Sequence, residues 1–131
     1  MNTEPMHQAI EGSLSGKLTF PQVVRILAAA GVESYSIDLI RGEDVFYMPD
    51  GTVHVEKMTP PATPIAENFS QPGLATAIKA AQADTIRYPE FLTQAMAAGV
   101  AGYRTYITGK RVLYLGRKGD LHIEEFPRPK A

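Results

Sequence analysis

Two short segments of the chain, His54-Val55-Glu56 and His122-Ile123-Glu124, each carry an imidazole and a carboxylate two residues apart. On an extended strand such residues share a face at roughly 6.5–7 Å. A carboxylate at that distance can hold its histidine in one tautomer or raise its pKa by charge pairing. Two such pairs brought together would supply four ligands for zinc or a similar ion, or would clamp a small polar ligand. In the first segment Ser36 and Asp38 are placed to share that face, and in the second the corresponding residues are Arg104 and Tyr106. A middle strand with Phe46 or Tyr47 in one copy and Tyr114 in the other would floor the site with aromatic rings. The ligand-binding candidates are therefore His54, Glu56, His122, Glu124, Asp38, Arg104, Tyr106 and Tyr114. The expected arrangement keeps the two pairs apart on solvent-facing edges, because polar residues alternating with valine are what a solvent-facing strand requires. No catalytic residue, metal site or cofactor is expected.

Other chemistry-bearing signatures fail on spacing. Gly109-Lys110 lacks the earlier glycine and the following Ser/Thr of a phosphate-binding loop, with Arg104 and Arg111 in those places. No Gly-x-Gly-x-x-Gly occurs, so a dinucleotide fold has no support. The absence of cysteine excludes disulfides, thiolate metal sites and the zinc site of nucleobase deaminases. No serine sits in a nucleophile-elbow context.

The elements that must position these residues are legible. Thr3-Glu4-Pro5 reads as a helix start running to about Leu14, broken by Ser15-Gly16-Lys17. Thr19 and Gln22 have capping-box spacing, and Val23, Ile26, Leu27 and Ala30 recur at helical spacing before Gly31 stops the helix. The period then changes to two, with Tyr35, Ile37 and Leu39 facing one way and Ser36 and Asp38 the other. Arg41-Gly42-Glu43 makes a turn. Val45-Phe46-Tyr47-Met48 is apolar on both faces and belongs in the middle of a sheet. Pro49-Asp50-Gly51 turns the chain again, and Val53 and Val55 alternate with His54 and Glu56. The short turns imply an antiparallel meander.

This plan occurs twice. Residues 78–124 lie on residues 10–56 without a gap, at an offset of 68 positions. Ten of the 47 aligned positions are identical, among them Pro21/Pro89, Gly31/Gly99, Tyr35/Tyr103, Gly51/Gly119, His54/His122 and Glu56/Glu124. A self-match of that length predicts a duplicated structural unit. The expected fold is α+β: two helix-helix-strand-strand-strand units related by an approximate twofold axis, over residues 4–57 and 73–126. A Pro-rich linker, residues 58–72, is pinned by Ile65 and Phe69. The second unit is predicted to have strands near 102–108, 111–115 and 120–125. Whether the two sheets join edge to edge or pack face to face stays open.

The passages Tyr88-Pro89-Glu90-Phe91, Ala98-Gly99-Val100 with Tyr103, and His122-Ile123-Glu124-Glu125-Phe126-Pro127 resemble the YbcV-like family of small bacterial proteins. Some members of that family carry the label phage envelope protein. The resemblance covers nearly the whole chain and brings no catalytic residues with it.

At 131 residues the chain suits a single domain with a real core. The formal net charge of -1 argues against a dedicated nucleic-acid binder. Charge is uneven: residues 1–65 hold four Lys/Arg and eight Asp/Glu, residues 66–131 nine and six. Complementary halves that attract each other would explain this, and an anionic partner on the second half is the alternative. No apolar run approaches the roughly 20 residues of a membrane-spanning helix, and the first residues lack the basic and apolar regions of a signal peptide. A cytoplasmic protein is expected, serving as a non-catalytic small-ligand-binding or protein-interaction module and forming a homodimer. The alternative is a small enzyme or metal-binding protein built on the His-x-Glu strands.

Overall fold

The computed structural model describes residues 1–127. Their element order is α1 (Glu4–Leu14), α2 (Phe20–Ala29), β1 (Ser34–Asp38), β2 (Glu43–Tyr47), β3 (Val53–Lys57), α3 (Gln71–Gln82), α4 (Tyr88–Ala97), β4 (Val100–Tyr106), β5 (Arg111–Gly116) and β6 (Leu121–Glu125). The fold is α+β, with the strands in one antiparallel sheet ordered β3-β2-β1-β4-β5-β6. The second half repeats the first element for element.

Local chemistry sets the helix boundaries. Thr19 and Gln22 form the capping box of α2, with Thr19 N–H donating to Gln22 Oε1 at 2.8 Å. At α1 the expected Thr3 cap is absent: Thr3 has helical dihedrals, and Asn2 Oδ1 accepts from the Glu4 N–H instead. Gly31 and Gly99 end α2 and α4 with φ of 86° and 96°, the left-handed conformation a side chain disfavours. Ser70 caps α3 by accepting from the Gly73 N–H, so the last linker residues already belong to a helix. Ile65 and Phe69 pack against the core as expected.

The halves join edge to edge through β1 and β4, where Ser36 pairs with Arg104. These two residues occupy equivalent places in the repeats, so the approximate twofold axis passes between them, perpendicular to the sheet. Registers match across the axis: Asp38↔Glu43 in one half corresponds to Tyr106↔Arg111 in the other, and Val45↔Val55 to Leu113↔Ile123.

Tyr35, Ile37, Phe46, Tyr103, Val112 and Tyr114 bury one sheet face against Leu27, Leu74, Leu92 and the rest of the helical layer. Removing these apolar surfaces from water drives the packing. The other face has no layer over it, so Val53, Val55, Leu115, Leu121 and Ile123 stay 45–52% exposed.

Candidate functional site

Strand register divides the candidate residues between the two faces. The helix-facing side carries His54, Glu56, Tyr114, His122 and Glu124; the open side carries Asp38, Arg104 and Tyr106. The expected orientation of the His-x-Glu strands is inverted. Val53 and Val55 meet solvent, while His54 and Glu56 turn toward the helices and are half-buried. The reason is register: His54 lies opposite Phe46 and Glu56 opposite Asp44, and both partners point into the core. Ser36 and Asp38 lie on the valine side and do not share a face with His54 and Glu56.

Each histidine bonds its own carboxylate, His54 Nε2 to Glu56 Oε2 at 3.0 Å and His122 Nε2 to Glu124 Oε1 at 3.1 Å. The pairs sit on opposite edges of the sheet, β3 and β6. Five interstrand spacings put them roughly 24 Å apart, too far to share one ion with bonds of about 2 Å. Among the described residues no three His, Asp or Glu side chains group to hold a metal. Glu56 also accepts from a residue the spacing arguments overlooked, His7 of α1, whose Nδ1 lies 3.1 Å away and whose Nε2 lies 3.1 Å from Glu11. The Glu56 bond, with the Glu11 charge behind it, raises the His7 pKa above its ordinary value.

A concavity enclosed by the two layers lies elsewhere. A cavity of about 450 Å³ opens between the helical layer and the buried sheet face. Its floor is aromatic, with Tyr35, Phe46, Tyr103 and Tyr114 in rows across the strands. Tyr35 stacks on Phe46 at 5.9 Å between centroids, and Tyr103 leans on Tyr114 at 5.4 Å. Tyr88 of α4 contributes a hydroxyl 2.6 Å from that of Tyr103. Burial pushes the phenols of Tyr88 and Tyr103 well above the ordinary tyrosine value, so both remain neutral. Tyr114 and Glu124 are the two sequence candidates in the lining.

One charged residue reaches the interior of this cavity floor. Asp44 of β2 is 5% exposed and lies between Ile37 and Glu56 in the strand register. Its Oδ1 is buried without a hydrogen-bond partner. Burial, with the nearby Glu56 charge adding to it, pushes the Asp44 carboxyl up to about 7. A buried, unpaired carboxylate is costly, and a strongly perturbed acid lining a cavity is the ordinary mark of a functional position. In the sequence Asp44 follows the Arg41-Gly42-Glu43 turn and precedes the apolar run from Val45, so it reads as a turn residue. The signal that singles it out is its place in the duplication, where the equivalent residue is Val112.

The geometry therefore defines a pseudo-symmetric α+β protein with a cavity between its layers and a buried, unpaired acid, Asp44, in that cavity's lining. No protein-family model matches the chain, and no curated protein matches it. Among the described residues no helix is long and apolar enough to cross a membrane.

Proposed function

We propose that this protein is a non-catalytic binding module whose small ligand occupies the cavity between the helices and the sheet. The observation that carries this reading is the unpaired Asp44 carboxylate inside an otherwise aromatic and aliphatic enclosure. A cavity of this volume lies within the usual range for small-molecule sites, which are mostly apolar with a few fixed polar groups. Asp44 Oδ1 has no hydrogen-bond partner within the protein and is free to pair with a ligand. The test uses Nile red, a neutral dye that brightens in apolar surroundings. It should fluoresce with the wild type and not with Ala81→Trp, which fills the cavity from α3, while circular dichroism shows both proteins folded. Equal dye response in the two proteins would overturn the reading.

A second reading, that the chain also pairs with another copy of itself, is favoured by the open face. One row across it reads Val55, Val45, Ser36, Arg104, Leu113, Ile123. At its centre the Arg104 guanidinium sits 4.1 Å from the Tyr47 ring centroid and 5.0 Å from that of Tyr106, and donates to Ser34 Oγ at 3.0 Å. Six strands of about five residues span roughly 29 by 17 Å. Two such faces would bury about 1,000 Å², at the lower end for a stable interface. A second copy is the occupant whose surface is already matched in size and apolar character. Light scattering should give twice the monomer mass, and Ile123→Asp should give the monomer. A monomeric wild type at high concentration, at both low and high salt, would end this reading.

A further inference from the structure

We propose that the cavity's ligand is an organic cation, an ammonium group on an apolar body, seated with its charged end at Asp44. This rests on the reading of the cavity as a ligand site.

Charge in the lining points one way. Of its four carboxylates, Asp84 pairs with Arg87, Glu125 with Arg111 and Glu124 with His122, which leaves Asp44 as the one without a partner. The Arg87 guanidinium is thus already engaged, with its Nε 3.1 Å from Asp84 Oδ1. An anionic ligand would meet the uncompensated Asp44 carboxylate in a site of low dielectric. A neutral ligand would leave Asp44 unpaired or would have to supply a donor hydroxyl. An ammonium supplies both the opposite charge and N–H donors that a carboxylate accepts most strongly.

The walls agree with that choice. Aromatic rings attract cations through their faces, at short range and most strongly when water is excluded. Tyr103 shares the register row of Asp44 and Ile37, Tyr35 and Phe46 form the adjacent row on the same face, and Phe91 closes from α4. Tyrosine hydroxyls that stay neutral add no competing negative charge. A bare metal ion is a poor occupant, because among the described residues no group of three ligating side chains converges, and the volume exceeds what one ion needs.

The test is a charge series on one body: phenethylamine, 2-phenylethanol and phenylacetate, each titrated calorimetrically at pH 8 into the wild type and into Asp44→Asn. Phenethylamine should bind the wild type at least tenfold more tightly than 2-phenylethanol, and phenylacetate should give no binding heat. In Asp44→Asn the amine should lose at least tenfold while the alcohol is unchanged. If the alcohol matches the amine in the wild type, or the preference survives in Asp44→Asn, the cation is wrong and the cavity reading stands. If none of the three binds and none displaces Nile red, the cavity reading fails and the cation falls with it. Should Asp44→Asn not fold, the wild-type series decides alone.

Discussion

The two halves share a frame and differ in what they put inside it. Each carries the same aromatic ladder, Tyr35–Phe46–His54 in the first and Tyr103–Tyr114–His122 in the second, with the outer pair 6.2 Å apart in both. Each ends its second helix on a left-handed glycine. Two of the differences bear directly on the cavity. Asp44 stands where the second half has Val112, and Phe20 stands where it has Tyr88. In the second half the Tyr88 and Tyr103 hydroxyls bond to each other. In the first, Phe20 brings no hydroxyl; it packs edge-on against Phe126 at 5.4 Å and remains 41% exposed. The cavity-lining hydroxyls of the second half are thus paired with each other, and the first half holds an acid that is not paired. Backbone symmetry supplies an enclosure, and a single asymmetric substitution gives that enclosure a polar end.

The comparison can be broken first at the helix stops. At Gly99 an added Cβ would lie 2.8 Å from the Asn68 carbonyl oxygen and 2.9 Å from Phe69 Cα, backbone atoms that cannot swing aside. At Gly31 the nearest atom is the flexible end of Met48 at 3.4 Å. Both substitutions incur the left-handed strain of roughly 1 kcal/mol, and the linker clash adds to it in one half. Gly99→Ala should lose about 3 kcal/mol in urea denaturation and Gly31→Ala about 1 kcal/mol. Equal losses would mean that the linker yields to the second half without cost.

Removing the acid should make the first half resemble the second. The Asp44 carboxyl is raised in the folded state, to about 7, by its burial and by Glu56. The folded chain therefore holds a proton that the unfolded chain releases near pH 4. Stability from this group is full below that point and is lost as pH rises through about 7. The groups facing Asp44 are Glu56 from β3, Tyr35 from β1, Tyr103 from β4 and Tyr88 from α4; His7 of α1 reaches it through Glu56. Asp44→Asn should match the wild type near pH 4 and exceed it by about 2 kcal/mol at pH 8. Denaturation curves at the two values check this, and a variant less stable than the wild type at pH 8 would show that the ionised form has a partner.

The smallest effect concerns His7, which has no counterpart in the second half, where Ala75 takes its place. Its pKa is raised by Glu56 and Glu11, so its contribution is full below the ordinary histidine value and fades as pH rises through the raised one. The melting-temperature gap between wild type and His7→Ala should be widest near pH 5.5 and close by pH 8.5. A gap independent of pH would assign His7 a packing role only.

Much of the frame was present in residue order alone. The gapless offset of 68, the capping box at Thr19 and Gln22, and the stops at Gly31 and Gly99 are local features, and local sterics and hydrogen bonding decide them wherever the chain goes. Strand boundaries came within a few residues, with β2 starting at Glu43 rather than Val45 and β4 at Val100 rather than 102. Alternation in β3 and β6 shows that each strand has two faces, but not which one the helices cover. Valine beside histidine suggests valine inside. Pairing with β2 and β5 sets it outside, because Phe46, Asp44, Tyr114 and Val112 commit those strands first. Edge-to-edge joining at Ser36 and Arg104 is likewise a tertiary outcome, since an open strand edge can be satisfied by any partner of compatible register. The cavity follows from that joining. Asp44 acquires its meaning there, because desolvation belongs to the surroundings a residue is folded into and not to its neighbours along the chain.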